Sequence, residues 1–303
     1  MDDAIMITRE QAETAGLIGH KTAAVYDNHF NELMRALPWT KWFESQDPLK
    51  CRQEYLDTYW QYLSAMRLNS ISGLGRFSQR HLINGTTQTF DEAYHRHAKR
   101  RLRLFKGEYA YHKRIVPDFV FVEDAPIAAD DYLIVSVPHC TTGDLLPTFY
   151  ATLDACVDAG VPVIVDCAYI GTSTGVSFSV EHPAIESVSF SLTKGTGLGH
   201  VRSGIRFSNI DDNYPIAQQN RYDHTVLGAA KIGIHFMQNL KTPDYIPNRY
   251  REHQLSACRD LGLQATPCMH IALGDASWDK YIVDGYHRVG IRDLVKARRQ
   301  GKI

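Results

Sequence analysis

Lys194 follows an apolar run and opens a glycine-rich turn, within Ser189-Phe-Ser-Leu-Thr-Lys-Gly-Thr-Gly-Leu-Gly-His-Val-Arg-Ser-Gly204. A lysine amine attacks a carbonyl carbon only when unprotonated, so a site that uses one must depress its pKa by burial or with a nearby cation. Arg202, eight residues on, offers that cation, and Ser191 lies three residues before the lysine. The intervening glycines let a hydroxyl, an amine and a guanidinium converge on one anionic group, such as a phosphate. An isolated Lys-Gly belongs by default to a solvated loop; these neighbours set Lys194 apart.

Upstream, Pro162-Val-Ile-Val-Asp-Cys-Ala-Tyr169 runs an apolar strand directly into Asp166. In open α/β sheets the carboxyl ends of the strands are where ligands bind, and a carboxylate there can hold a protonated ring nitrogen. Its plainer role is a turn or N-cap aspartate. Earlier still, Asn84-Gly-Thr-Thr-Gln88 sits between a short strand and a helical stretch. Backbone N–H groups and hydroxyls at such a helix start suit a phosphate, although any surface turn can read the same way.

The elements that must carry these residues follow from hydrophobic periodicity. Short apolar runs at 81–83, 101–105, 119–122, 132–137, 162–166, 187–192 and 204–207 predict strands, with helices over 90–99 and 145–159 between them. Alternation of this kind predicts an α/β fold with crossover helices on a mostly parallel sheet. Before it, residues 50–67 place Tyr55, Tyr59, Trp60, Leu63 and Met66 at helical spacing. Beyond about 213 the chain turns helical again and closes with segments at 264–273 and 281–299. The expected organisation is a helical N-terminal segment (1–75), a large ligand-binding domain (76–240) and a reduced C-terminal domain (241–303).

In this order the elements resemble the aspartate-aminotransferase superfamily, the fold type I pyridoxal 5'-phosphate (PLP) enzymes, across roughly residues 70–210. The resemblance implies a three-layer large domain with a mixed, mostly parallel sheet flanked by helices. It implies that Lys194 carries PLP as a Schiff base and that Ser191 and Arg202 bind the cofactor phosphate. It further implies that Asp166 pairs with the pyridine nitrogen and that Tyr169, in Asp166-Cys167-Ala168-Tyr169, bonds the ring O3′. Gly85 and Thr86 fall at the family's phosphate turn, with Thr87 beside them. Tyr109 is the first choice for the aromatic that stacks on the ring, with Tyr111 or His112 as substitutes.

Two departures qualify the resemblance. Val137-Pro-His-Cys-Thr-Thr-Gly143 has Cys140 where the family places a ring-contacting asparagine, so that contact is altered, and His139 or Tyr169 is positioned to compensate. Cys140 also fits as a simple buried small residue. After Lys194 only 109 residues remain, so the small domain is expected to be trimmed. Arg288, in Asp284-Gly-Tyr-His-Arg-Val-Gly-Ile291, is nominated by the same resemblance for a substrate carboxylate, against the plainer reading of a surface arginine among Arg292, Lys296, Arg298 and Arg299.

The activity implied is an aminotransferase moving an amino group from a small-molecule donor to a carbonyl acceptor. A PLP-dependent decarboxylase or lyase acting on an atypical or macromolecule-attached amino acid needs only a different substrate pose. A reading of another class is a non-catalytic protein that binds PLP or another phosphate ligand. The Gly-Thr-Gly-Leu-Gly turn lacks the spacing of nucleotide loops. The family also implies a homodimer.

Composition limits the remaining classes. Hydrophobic residues at 44% and charged residues at 22% are ordinary globular usage. Thirty-three Lys and Arg balance thirty-four Asp and Glu, so a nucleic-acid partner would have to use a local patch. The basic run from His95 to Lys106 is that patch, or else the solvated face of a helix leading into a strand. The longest apolar runs fall short of a membrane span, no export signal is read at the N-terminus, and six scattered cysteines form no metal motif. No metal and no membrane are expected, and a reducing cytoplasm is the expected setting.

Overall fold

Two runs, Asp131-Tyr-Leu-Ile-Val-Ser136 and Val163-Ile-Val-Asp166, are buried along their whole length. Residues covered on both faces in this way belong in the middle of a largely parallel sheet. The computed structural model describes residues 6–44, 48–210 and 213–303. The chain begins with helices α1 (Arg9–Thr14), α2 (His29–Arg35), α3 (Trp39–Glu44) and α4 (Pro48–Ser64). There follow β1 (Ser70–Ser72), β2 (Gln79–Ile83), α5 (Thr86–Arg96), β3 (Arg101–Leu104), α6 (Ala110–Ile115), β4 (Val120–Phe121) and β5 (Asp131–Ser136). Next come α7 (Phe149–Asp158), β6 (Val163–Asp166), β7 (Ser177–Ser179), β8 (Ile185–Ser191), α8 (Leu192–Gly195) and β9 (Gly204–Ser208). Helices α9 (Pro215–Arg221), α10 (Leu227–Leu240) and α11 (Tyr245–Leu261) lead to β10 (Gln264–Ala265), β11 (Ile271–Leu273), β12 (Ile282–Val283), β13 (Tyr286–Gly290) and α12 (Arg292–Arg299).

The seven runs expected as strands form one seven-stranded sheet in the order β2-β9-β8-β6-β5-β3-β4. Within it β9 runs antiparallel to both neighbours and every other pairing is parallel. The fold is therefore α/β with a mixed, mostly parallel sheet, as the alternation predicts. Helix boundaries moved more than strand boundaries. Helix α5 starts at Thr86 rather than 90, because its first turn, Thr86-Thr-Gln-Thr89, is polar and shows no apolar period. Helix α7 starts at Phe149 rather than 145, since Pro147 disfavours helical backbone at the residue before it.

Two features of the packing bear on the site. Tyr55, on α4 and fully buried, holds the Ser203 hydroxyl at 2.7 Å and the Gly204 carbonyl at 3.1 Å, fixing the entry to β9 just after Arg202. The N-terminal segment also reaches the antiparallel sheet β10-β11-β13-β12: Gly19 bridges to Gly290, and Glu13 accepts from Lys280 and from the Tyr281 hydroxyl.

Part of the basic run is taken up within the fold, while His95 and Lys99 stay exposed. Arg103 is fully buried on β3 and pairs with Asp131 at 2.7 Å, which Arg101 also meets at 2.7 Å. Lys106 pairs with Asp124. Among the described residues no helix is long and apolar enough to cross a membrane.

Candidate active site

The carboxyl ends of β2, β3, β5, β6 and β8 open on one edge of the sheet; Ser136, Asp166 and Ser191 are the last residues of β5, β6 and β8, and Thr86 comes three residues after the end of β2. Register holds them level: Ser136 pairs with Asp166, Asp166 with Ser189, Ser191 with Gly204, and Gly204 with Ile83. A cavity of about 420 Å³ lies over this edge. That volume suits a bound small molecule, since ligand pockets run from about 300 to 1,000 Å³.

At one end of the cavity Thr86, Thr87, Ser191 and Arg202 come together from three separate elements. Arg202 donates to the Thr87 hydroxyl, and Ser191 accepts from the Thr193 N–H at 3.2 Å. Gly85 does not line the cavity; it backs this cradle at the N-cap of α5, with φ +77° and ψ 169°. A Cβ there would stand 2.8 Å from the Arg202 guanidinium and 3.5 Å from the Ser191 hydroxyl, in a backbone region open essentially to glycine alone. Gly85→Ala is expected to weaken binding of a phosphate-bearing ligand by about 10- to 100-fold, the equivalent of the strain of about 1–3 kcal/mol. Titration of the variant with PLP checks this, and an unchanged affinity would remove Gly85 from the cradle.

Lys194, half-buried on the single turn α8, faces the same cavity. Burial drives its amine below the usual lysine range; Asp166 opposes that shift, and Arg202 and Arg292 reinforce it. Its Nζ stands 5.4 Å over the Tyr169 ring. Asp166 is buried at the end of β6, accepting from the Ala168 N–H at 2.9 Å. Burial pushes its carboxyl up to about 7, against the pull of Ala168 and Thr86. Among the described residues it has no salt bridge.

Tyr109, Cys140 and Tyr169 also line the cavity. Of the three aromatic candidates only Tyr109 does so: Tyr111 is tied to Asp91 at 2.6 Å, and His112 is buried against Phe90 with Tyr94 on its Nδ1. The Cys140 thiol donates to the Gly107 carbonyl at 3.1 Å, and burial holds it protonated. His139 is turned away from the cavity, its Nδ1 accepting from the Thr142 N–H at 3.3 Å and its Nε2 lying 3.8 Å from Glu108.

Arg288 is not a lining residue. Its Nη1 lies 3.4 Å from the Thr141 hydroxyl and its Nε is buried without a partner among the described residues. The guanidinium that does reach the cavity wall there is Arg292, at the start of α12. Ala23, Ala24 and Tyr26 form more of that wall. These N-terminal residues carry no motif; the one local sign is Gly197, where a Cβ would strike the Tyr26 ring at 2.8 Å, so only glycine admits their close approach.

No protein-family model matches the sequence, and neither does any curated protein. Solved structures do match the fold. The chain is similar to an aspartate aminotransferase from Thermus thermophilus with maleate, at a TM-score of 0.64 and 14% identity over 93% of this chain and 90% of that one. It is similar to MppP soaked with 2-ketoarginine, at 0.66 and 13% over 93% and 98%. It is also similar to an L-threonine-O-3-phosphate decarboxylase from Porphyromonas gingivalis, at 0.57 and 13% over 93% and 97%. The chain therefore shares the fold of the type I PLP-dependent aminotransferases across more than nine-tenths of its length, and identities this low speak for the fold alone.

Proposed function

We propose that this chain is a PLP-dependent aminotransferase. The observation that carries the reading is a single cavity holding a desolvated lysine amine, a buried carboxylate and a four-residue anion cradle at one sheet edge.

The residues present fit the cofactor's chemistry. Thr86, Thr87, Ser191 and Arg202 would hold its phosphate, and Gly85 leaves room for that cradle. Asp166 would keep the proton on the ring nitrogen, a cation that also relieves a buried carboxylate with no salt bridge among the described residues. Tyr109 and Ala168 would bound the ring, and Tyr169 would meet its hydroxyl. When bound, PLP supplies an electron-poor ring that draws charge from the substrate's α-carbon. Lys194 then acts as the base: depressed by burial, its Nζ is free to take the proton from that carbon and to return it.

The test is reconstitution with PLP, followed by visible spectroscopy before and after amino donors are added with a keto-acid acceptor. A visible band that donors discharge, with appearance of the donor's keto product, is the expected result. Carbon dioxide release without keto product would replace aminotransfer with decarboxylation on the same cavity. A band that no donor alters would leave a ligand-binding protein, and failure to form any band would end the PLP reading.

A further inference from the structure

The edge of the sheet away from the lysine cavity carries a second concavity, which the proposed reaction does not use. Strands β6 and β8 begin there and β9 ends there, so Pro162, Ile185 and Asn209 meet at it. Its volume is about 630 Å³. The basic run reaches it too: His97 and Arg100 line it, together with Arg76.

Both guanidiniums are fixed by backbone. Arg76 donates from Nη2 to the Ile185 carbonyl, and Arg100 donates from Nη1 to the carbonyls of Ala129 at 2.8 Å and Asp131 at 3.0 Å. Carbonyls hold a guanidinium in place without cancelling its charge. Arg76 Nε is buried without a partner, and among the described residues neither arginine forms a salt bridge. Burial draws the Arg76 guanidinium below its usual range, against the pull of Glu181. Asn209 accepts the Ser78 N–H at 2.9 Å through its carbonyl oxygen, which leaves its amide NH2 to donate. Glu186, the one carboxylate among the described lining residues, stands 3.4 Å from His97 Nε2. Donors left buried in this way cost free energy that an anion recovers.

Charge and shape select the anion. A phosphate monoester brings a charge of about −1.5 to −2 near neutral pH and three acceptor oxygens. That serves two guanidiniums and an amide together, whereas a carboxylate brings a single charge and two oxygens. The rest of the surface includes Val161, Pro162, Ala184 and Ile185, with Cys156, whose thiol burial pushes up to about 12 and so keeps uncharged. Such a floor gives an organic group apolar area to cover, which a bare phosphate cannot use.

We propose that this groove binds a small phosphate monoester, its phosphate on Arg76, Arg100 and Asn209 and its organic group on the apolar floor. The site shares no residue with the lysine cavity, so it stands or falls independently of the cofactor reading.

The test is calorimetric titration of the full chain, loaded with PLP and freed of excess, with phenyl phosphate, inorganic phosphate, benzoate and phenol. Phenyl phosphate should bind tightest. Arg76→Gln and Arg100→Gln should each raise its dissociation constant about 10- to 100-fold, the loss of a charge-assisted pair. Arg202→Gln, in the cradle of the other cavity, should leave it unchanged. Arg100 also ties the turn between α5 and β3, so Val157→Trp serves as a second variant: it fills the groove from an exposed position on α7, leaves both arginines in place and should abolish binding. Another probe binding as tightly as phenyl phosphate, a loss that follows Arg202→Gln instead, full affinity in Val157→Trp, or no saturable binding would overturn the proposal.

Discussion

Lys194→Ala should reduce amino-group transfer by about four orders of magnitude, the upper range for removal of a positioned acid–base group, while leaving the protein folded and the anion cradle intact. The loss is expected to fall on turnover and not on cofactor retention. Thr86, Thr87, Ser191 and Arg202 come from elements other than α8 or precede it, and none depends on the lysine for its place. The amine is also a net burden on the folded state, since burial holds it below its ordinary pKa. Unfolding midpoints of the cofactor-free parent and variant should therefore be close, or slightly favour the variant. The check is a single-turnover assay with PLP present, beside a thermal melt. Turnover within tenfold of the parent would sink the assignment of Lys194 as the base.

Asp166→Asn should move two properties in opposite directions. In the cofactor-free protein Asp166 is a buried acid whose carboxyl is raised from 3.8 to about 7 by desolvation. The unfolded chain releases this proton near pH 4 and the folded chain near pH 7, so between those values the folded state binds more protons. Stability therefore falls as pH rises through this window, and the cost is complete above it. Its size is on the order of 4 kcal/mol. The asparagine keeps the shape and has no charge to bury, so the cofactor-free variant should be the more stable protein at pH 8 and its stability should lose this pH dependence. With cofactor present the sign reverses: the carboxylate is no longer there to hold a proton on the ring nitrogen, and PLP affinity should drop about 10- to 100-fold. Urea denaturation at pH 5 and pH 8, with a PLP titration, reads both effects. A variant destabilised at pH 8, or one that binds PLP as tightly as its parent, would contradict the role given to Asp166.

Much of the edge that carries the cavity was legible in the sequence because it is written locally. An apolar run ending in Asp166 places a carboxylate at a strand's carboxyl end whatever surrounds it. The spacing of Ser191, Lys194 and Arg202 survives because the strand, the one-turn helix and the turn back into β9 are contiguous in the chain. Strands β5 and β6 announced themselves most clearly, since a strand buried on both faces reads as a nearly continuous apolar run. The polar first turn of α5 escaped for the converse reason: residues turned toward a ligand do not follow the apolar period by which helices are found.

The sequence by itself determined the α/β class, the order of the strands along the chain, and which residues stand at the carboxyl ends of β2, β6 and β8. Tertiary structure alone decided that Ala23, Ala24 and Tyr26 cross from the C-terminal sheet to wall the cavity, that Tyr109 faces it while Tyr111 and His112 do not, and that Arg292 reaches it ahead of Arg288. The physical reason is range. Strand ends and motif spacings are settled by a few neighbouring residues, whereas a wall assembled from residues more than two hundred apart depends on how helices and loops pack across the sheet. Which of two arginines four positions apart points inward depends on a single hydrogen bond to Thr141 and an ion pair to Asp293, neither of which any periodicity records.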